Sequence, residues 1–161
     1  MRLLWERLDG RDGHAAGREL LACLYREETG AELPEIRCTP RGKPYFPGNS
    51  LHFSISHSQN HVFCCLSRVN VGMDAEEMSR PVNPALAEKF LSDTEKARYR
   101  ASAHRDAAML RLWVLKESYA KLTGRGLGDY LKHTDFDPED PRIRIIDGCF
   151  VAVMTEADPK L

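Results

Sequence analysis

Two acidic residues, Asp74 and Glu76, lie two positions apart in a segment with the alternating pattern of a β-strand. Successive side chains of a strand point to opposite faces, so both carboxylates project from one face. Such oxygen ligands suit Mg²⁺ or Mn²⁺, which bind one or two carboxylates together with phosphate oxygens and water. The pattern is equally typical of the solvated face of an antiparallel strand, so the pair alone does not establish a metal site.

A third carboxylate, Glu117, lies in a segment that we predict to be a long helix over residues 103–123. Lys121 follows it by about one turn, and a Glu–Lys pair with this spacing stabilises a helix surface by about 0.2–0.5 kcal/mol. The pair continues an apolar stripe that contains Trp113, a placement that a surface pair explains less well. A chemical role and a stabilising role therefore both remain open for Glu117.

His57 stands between two serines at the end of another predicted strand and shares its parity with the apolar positions of that strand. A single histidine in such a place is usually structural. Ser56 and His57 cannot form a hydrolase pair, because neighbouring strand residues point apart, and the chain has no G-x-S-x-G motif. These two polar side chains are better suited to binding phosphate.

The elements that must position these residues indicate an α+β fold. Helical spacing of apolar residues predicts a second helix over residues 14–28, and Gly30 and Gly124 stand where C-terminal helix caps belong. The segment Ser92-Asp93-Thr94-Glu95 fits a capping box. Apolar runs predict six short strands, at residues 1–8, 51–56, 62–66, 71–76, 143–146 and 150–154. The three strands between residues 51 and 76 favour one antiparallel sheet.

Composition excludes several classes of protein. With 161 residues, 42% hydrophobic and 29% charged, the chain has the size and composition of one ordinary globular domain. Lys plus Arg is 23 and Asp plus Glu is 24, so a net charge of −1 predicts no bulk attraction to nucleic acid or membrane. The five cysteines lack zinc-binding spacing and are expected to be buried, reduced thiols. Without an apolar leader or membrane span, we expect a cytoplasmic location.

Three blocks of residues, in this order, resemble the 4′-phosphopantetheinyl transferase superfamily, specifically its surfactin-synthetase-activating type. The blocks are R-G-K-P-Y-F (41–46) with L-H-F-S-I-S-H-S (51–58), V-G-M-D-A-E (71–76), and W-V-L-K-E-S-Y-A-K-L-T-G-R-G-L (113–127); F-L-S-D-T-E (90–95) matches as well. The resemblance covers about residues 14–155. It implies two pseudo-twofold-related halves, each with a small antiparallel sheet packed on a long helix. We expect a single domain over residues 1–161, with a shortened N-terminal half (1–69) and a C-terminal half (70–161).

The resemblance also implies an activity. Members of the family transfer the 4′-phosphopantetheine arm of coenzyme A to a serine of an apo acyl or peptidyl carrier protein and release adenosine 3′,5′-bisphosphate. By resemblance, the ligands of Mg²⁺, with Mn²⁺ as the alternative, are Asp74, Glu76 and Glu117. The implied coenzyme A contacts are Arg18, Lys43, Ser56, His57, Lys116 and Lys121. Glu117 or a metal-bound water would take the serine proton, and Lys121 would protonate or neutralise the leaving phosphate.

Some points stay open at this level. Because the N-terminal half is short, the residue that holds the 3′-phosphate of coenzyme A is undecided among Arg2, Arg7, Arg11 and Arg41. Four arginines are candidates for carrier recognition, with a solvated helix face as the alternative: Arg98, Arg100, Arg105 and Arg111. All three blocks lie in one chain, which favours a monomer over a dimer. The alternative functions are a coenzyme A or carrier-binding module without transfer activity, and a Mg²⁺-dependent phosphodiesterase.

Overall fold

The computed structural model describes residues 1–158, and within them the chain forms eight strands and four α-helices. The strands are β1 (Arg2–Arg7), β2 (Arg37–Cys38), β3 (Pro44–Tyr45), β4 (His52–His57), β5 (His61–Ser67), β6 (Val71–Glu77), β7 (Ile143–Ile146) and β8 (Cys149–Thr155). The helices are α1 (Gly13–Thr29), α2 (Ala85–Phe90), α3 (Asp93–Ala101) and α4 (Arg105–Thr123), and a short 3-10 helix covers Asp129–His133. None of these helices is long and apolar enough to cross a membrane.

The chain repeats one connectivity. A β-α-β-β unit made of β1, α1, β4 and β5 forms an antiparallel sheet in the order β1-β5-β4. The elements β6, α4, β7 and β8 form a second antiparallel sheet in the corresponding order β6-β8-β7. These two small sheets, each packed on a long helix, confirm the expected fold. Only the second unit carries extra helices, α2 and α3, between its first strand and its long helix.

One prediction about the sheets is wrong. The three strands between residues 51 and 76 do not share a sheet, because β6 pairs with β8 rather than with β4 or β5. The edge strands β4 and β6 are instead joined through serine hydroxyls. Ser54 Oγ accepts from the Met73 N–H at 3.0 Å, and Ser56 Oγ accepts from the Ala75 N–H at 3.2 Å. The two halves therefore meet along β4 and β6.

The predicted caps at Gly30, Gly124 and Ser92 are confirmed, and Asp12 is an additional cap. Asp12 accepts from the first turn of α1, and Gly30 ends that helix with φ of 73°. Both hydrogen bonds of the capping box between Ser92 and Glu95 are present at the start of α3. Gly124 ends α4 with φ of 65°, in the left-handed region that glycine adopts without strain.

Three apolar layers hold these elements together. One lies between α1 and the first sheet, one between the two sheets, and one between the second sheet and α4. Cys64 packs in the first layer and Cys65 in the second, so adjacent strand residues point to opposite faces. All five cysteines are free, but Cys23 and Cys38 are exposed, so the expectation of burial is wrong for these two.

Candidate active site

A cavity of about 830 Å³ lies where the two halves meet. Its walls come from α1 and β4 of the first half, from β6 and α4 of the second, and from the turn at residues 41–44. Eight of the site residues predicted from sequence line it: Arg18, Lys43, Ser56, His57, Asp74, Glu76, Glu117 and Lys121. The fold thus brings residues from all three sequence blocks to one place.

The grouping of Glu117 and Lys121 with Asp74 depends on close packing of α4 against β6. Gly72 makes this packing possible, since a Cβ atom there would lie 2.1 Å from the Ser118 carbonyl oxygen and 2.3 Å from the Leu122 nitrogen. Gly72 and Asp74 lie on the same face of β6, and this face packs against α4. The helix therefore places the side chains of Glu117 and Lys121 beside that carboxylate.

Asp74 is buried, and its two carboxylate oxygens differ. Oδ1 accepts from the Ser56 hydroxyl at 2.7 Å and from the Lys121 ammonium group at 2.7 Å. Oδ2 is also buried, but no donor among residues 1–158 reaches it. Because an unpaired buried carboxylate oxygen is costly, its presence indicates that a cation or a ligand donor belongs beside it.

Glu117 and Glu76 supply the other two carboxylates of the cavity. Burial, followed by the negative charge of Asp74, raises the pKa of Glu117 to about 7. Glu76 forms an ion pair with Arg80. When all three carboxylates are ionised, they outnumber their two cationic neighbours, Lys121 and Arg80.

The donor set fits a hard divalent cation. All three candidate ligands are carboxylates, which suit Mg²⁺ or Mn²⁺, whereas zinc sites in proteins rely mostly on Cys and His. In the part of the chain that the structure describes, no three His, Cys, Asp or Glu side chains converge as a completed metal site. The carboxylates would have to move closer together around an ion.

The cavity is also lined by basic residues. Arg18 projects from α1, and Arg41 lies in a tight turn that the Gly42 N–H closes on the Thr39 carbonyl oxygen at 2.8 Å. Within residues 1–158, neither arginine has a carboxylate at ion-pair distance, so both charges are available to an anion. His14 lies one turn before Arg18 on α1 and lines the same cavity. Sequence reasoning missed His14, although its i,i+4 spacing from Arg18 was the available signal.

The remaining arginines considered for the 3′-phosphate lie elsewhere. Arg2 is paired with Glu27, Arg7 with Asp147, and Arg11 with Glu6 and Glu19; none of the three lines the cavity.

His57 and Ser56 occupy opposite faces at the end of β4. The His57 ring contacts His14 edge-on at a centroid distance of 4.8 Å, above Gly13, which leaves room for it by having no side chain. Burial, followed by the positive influence of His14, lowers the pKa of His57. Ser56 turns the other way, toward β6, and orients Asp74.

Lys43 joins the two halves at the cavity wall. Its ammonium group donates to Asn70 Oδ1 at 2.6 Å and to the Leu122 carbonyl oxygen near the end of α4 at 2.7 Å. Burial lowers its pKa. The sequence predicted a ligand contact here, and the structure adds a structural role for the same side chain.

Lys116 must be removed from the predicted set. Its side chain is completely buried, pairs with Glu95 at 2.7 Å, and donates to the carbonyl oxygens of Leu131 and Thr134. Adjacent residues of a helix point about 100° apart, so Lys116 faces the core while Glu117 faces the cavity. Lys116 therefore holds the loop after α4 in place and does not line the site.

Comparison with known proteins gives consistent similarities. The family model of the 4′-phosphopantetheinyl transferase superfamily matches residues 70–150. A 4′-phosphopantetheinyl transferase of Bacillus subtilis is 38% identical over 90 residues, which are 53% of this chain and 39% of that protein. The 4′-phosphopantetheinyl transferase ffp of Bacillus subtilis is 37% identical over 117 residues (69% and 51%), and HetI of Nostoc is 31% identical over 123 residues (70% and 52%). The chain thus spans about two-fifths to one-half of these relatives' lengths.

Proposed function

Because the chain belongs to the 4′-phosphopantetheinyl transferase superfamily, we propose that it transfers the 4′-phosphopantetheine arm of coenzyme A to a serine of an apo carrier protein. The observation that carries this proposal is the charge distribution of the cavity between the halves. Three carboxylates and Lys121 line it together with Arg18 and Arg41, two arginines that have no ion-pair partner among residues 1–158. Coenzyme A carries a diphosphate and a separate ribose phosphate, so it has anionic groups both for a cation held by the carboxylates and for the two arginines.

Asp74, Glu76 and Glu117 would hold Mg²⁺, for which Mn²⁺ can substitute. The buried, unpaired Oδ2 of Asp74 and the all-oxygen donor set support this assignment. When bound, the ion would neutralise the diphosphate and make its phosphorus more electrophilic.

Residues of the chain itself would take the proton of the carrier serine and stabilise the leaving phosphate. The carrier serine oxygen attacks the phosphorus next to pantetheine, and the bond from that phosphorus to the departing adenosine 3′,5′-bisphosphate breaks. Glu117 would accept the serine proton, because its carboxylate lines the cavity and forms no ion pair among residues 1–158. Lys121, held by Asp74, would neutralise the charge that develops on the leaving phosphate.

Basic residues would hold the nucleotide part of coenzyme A. We assign the 3′-phosphate to Arg18 and Arg41, since these side chains line the cavity and have no competing carboxylate among the described residues. His57 and Lys43, which also line the cavity, would contact the phosphates of coenzyme A. Every residue in this scheme comes from one chain, so we propose that a monomer is sufficient.

The carrier protein would dock beside the cavity. Of the four arginines considered for this contact, Arg98 and Arg111 donate to the backbone carbonyls of Phe136 and Pro138, and Arg100 pairs with Glu88. Arg105 has no such partner in the part of the chain that the structure describes. We therefore propose Arg105 as the arginine of this set that is available to an acidic carrier surface.

An intact-mass assay tests the function. The protein is mixed with coenzyme A, Mg²⁺ and an apo carrier protein, and the carrier should gain one phosphopantetheine group. The gain should be lost with a chelator and with Asp74→Asn, while the exposed control Asp129→Asn should retain it. Coenzyme A binding without any gain on several carriers would favour a binding module, and free phosphopantetheine released without a carrier would favour a phosphodiesterase.

A further inference from the structure

Arg80 was not part of the predicted site; it pairs with Glu76, which lines the main cavity, and itself lines a smaller cavity beside it. The chain turns tightly after β6, where the Arg80 N–H donates to the Glu77 carbonyl oxygen at 3.0 Å. This turn brings the guanidinium group back onto the carboxylate of Glu76. The Glu76 side chain is only 15% exposed, whereas that of Arg80 is 42% exposed. The pair thus joins a nearly buried candidate ligand to a more accessible cation.

From this contact we propose that Arg80 competes with the divalent cation for Glu76. The inference rests on the proposed function, because it takes Asp74, Glu76 and Glu117 as the metal ligands. Before the ion binds, Arg80 neutralises part of the negative charge. When an ion binds, Glu76 would turn from the guanidinium to the ion, because two positive charges that share one nearly buried carboxylate would repel each other.

The structure offers the displaced guanidinium group a second partner. A smaller cavity of about 320 Å³ shares Glu76 and His57 with the main one and is also lined by Arg80 and Glu77. Glu77 accepts hydrogen bonds from the Asn60 N–H and the Ser58 hydroxyl, which fix its carboxylate in this cavity. Because Arg80 and Glu77 line this same cavity, we take Glu77 as the second partner of the displaced guanidinium group.

Lys121 does not serve as the competitor, although it is also paired with one of the carboxylates. Its ammonium group is placed between Asp74 and the Ile55 carbonyl oxygen, and its partner Asp74 keeps a second oxygen without a donor. A cation can reach Asp74 through that free oxygen while Lys121 stays in place. Glu76 instead pairs with Arg80, whose side chain is partly exposed. Arg80 is therefore the cation that competes with the divalent ion for Glu76.

The test is a titration with Mn²⁺ in the absence of coenzyme A. Calorimetry and the electron paramagnetic resonance signal of free Mn²⁺ both measure the binding. Arg80→Gln should bind Mn²⁺ about three- to tenfold more tightly than the unchanged protein, because the competing charge is gone. Arg80→Met should show the same gain, and Arg80→Lys, which keeps the charge, should stay close to the unchanged protein. The matched control is Arg100→Gln, which breaks an exposed pair with Glu88 and should leave Mn²⁺ affinity unchanged.

Unchanged or weaker Mn²⁺ binding in both uncharged variants would overturn the proposal and would mean that Arg80 orients Glu76 for the ion. If the unchanged protein and all variants bind no Mn²⁺, the competition and the metal assignment both fail. If Mn²⁺ binds as expected but the carrier gains no mass, the competition stands and only the proposed transfer fails.

Discussion

Lys116 and Glu95 form an ion pair in which neither side chain is exposed to solvent, with 2.7 Å between Nζ and Oε2. The Glu95 carboxylate also accepts from the backbone N–H groups of Ser92 and Phe136. Burial lowers the pKa of Lys116, and the hydrogen bond with Glu95 acts against this shift. The pair thus ties α3 and the loop after the 3-10 helix to α4, the helix that carries Glu117 and Lys121.

Removing one partner of this pair should destabilise the fold strongly. Lys116→Met leaves the Glu95 charge buried and should lower the free energy of unfolding by about 3–5 kcal/mol. Urea denaturation measures the change. The control Lys132→Met removes a more exposed pair with Asp129 and should cost less than about 1 kcal/mol. Equal effects of the two variants would contradict the structural role of Lys116.

Gly72 should tolerate no side chain. Gly72→Ala places a methyl group against the backbone of α4 and should cost about 1–3 kcal/mol or more, with loss of transfer because Glu117 and Lys121 shift together. Thermal unfolding and the mass assay measure both effects. Gly128→Ala is the matched control, since its Cβ would meet Tyr130 at 3.5 Å, an ordinary contact, and its φ is −166°. A stable and active Gly72→Ala variant would show that α4 does not pack on β6 as described.

Stability at low pH should depend on Asp147. The hydrogen bond from Arg7, followed by that from His61, lowers its pKa from 3.8 to about 2. Since the folded-state pKa lies below the ordinary value, ionised Asp147 stabilises the fold above about pH 4, and this contribution is lost as the pH falls toward 2. Asp147→Asn should therefore lose less stability between pH 4 and pH 2 in urea unfolding. Parallel pH curves for the unchanged and variant proteins would rule out this contribution.

Lys43→Met should have two separable effects. The loss of hydrogen bonds to Asn70 and to the Leu122 carbonyl oxygen should cost about 1–3 kcal/mol of stability. Coenzyme A affinity should fall more than turnover at saturating coenzyme A, if the residue acts on binding rather than on the chemical step. Urea unfolding and coenzyme A titration measure these effects, with Lys89→Met, outside the cavity, as the control. Normal affinity combined with a slow chemical step would contradict the binding role.

Much of the local structure could be predicted because it depends on near neighbours in the chain. The alternation around Asp74 and Glu76 placed both on one face of β6, and the capping box at Ser92 marked the start of α3. A strand face and a helix cap are set within three or four residues. The same reasoning could not choose the partner of β6, because pairing with β8 depends on packing between distant segments.

The sequence by itself determined which chemical groups this protein has and which of them share a face of one element. Only the tertiary structure decided which of them meet. It placed Glu117 and Lys121 beside Asp74, turned Lys116 into the core, and brought Arg80 onto Glu76. The physical reason is that periodicity specifies direction within one element, whereas distances between elements follow from the packing of apolar layers and from contacts such as Gly72 against α4.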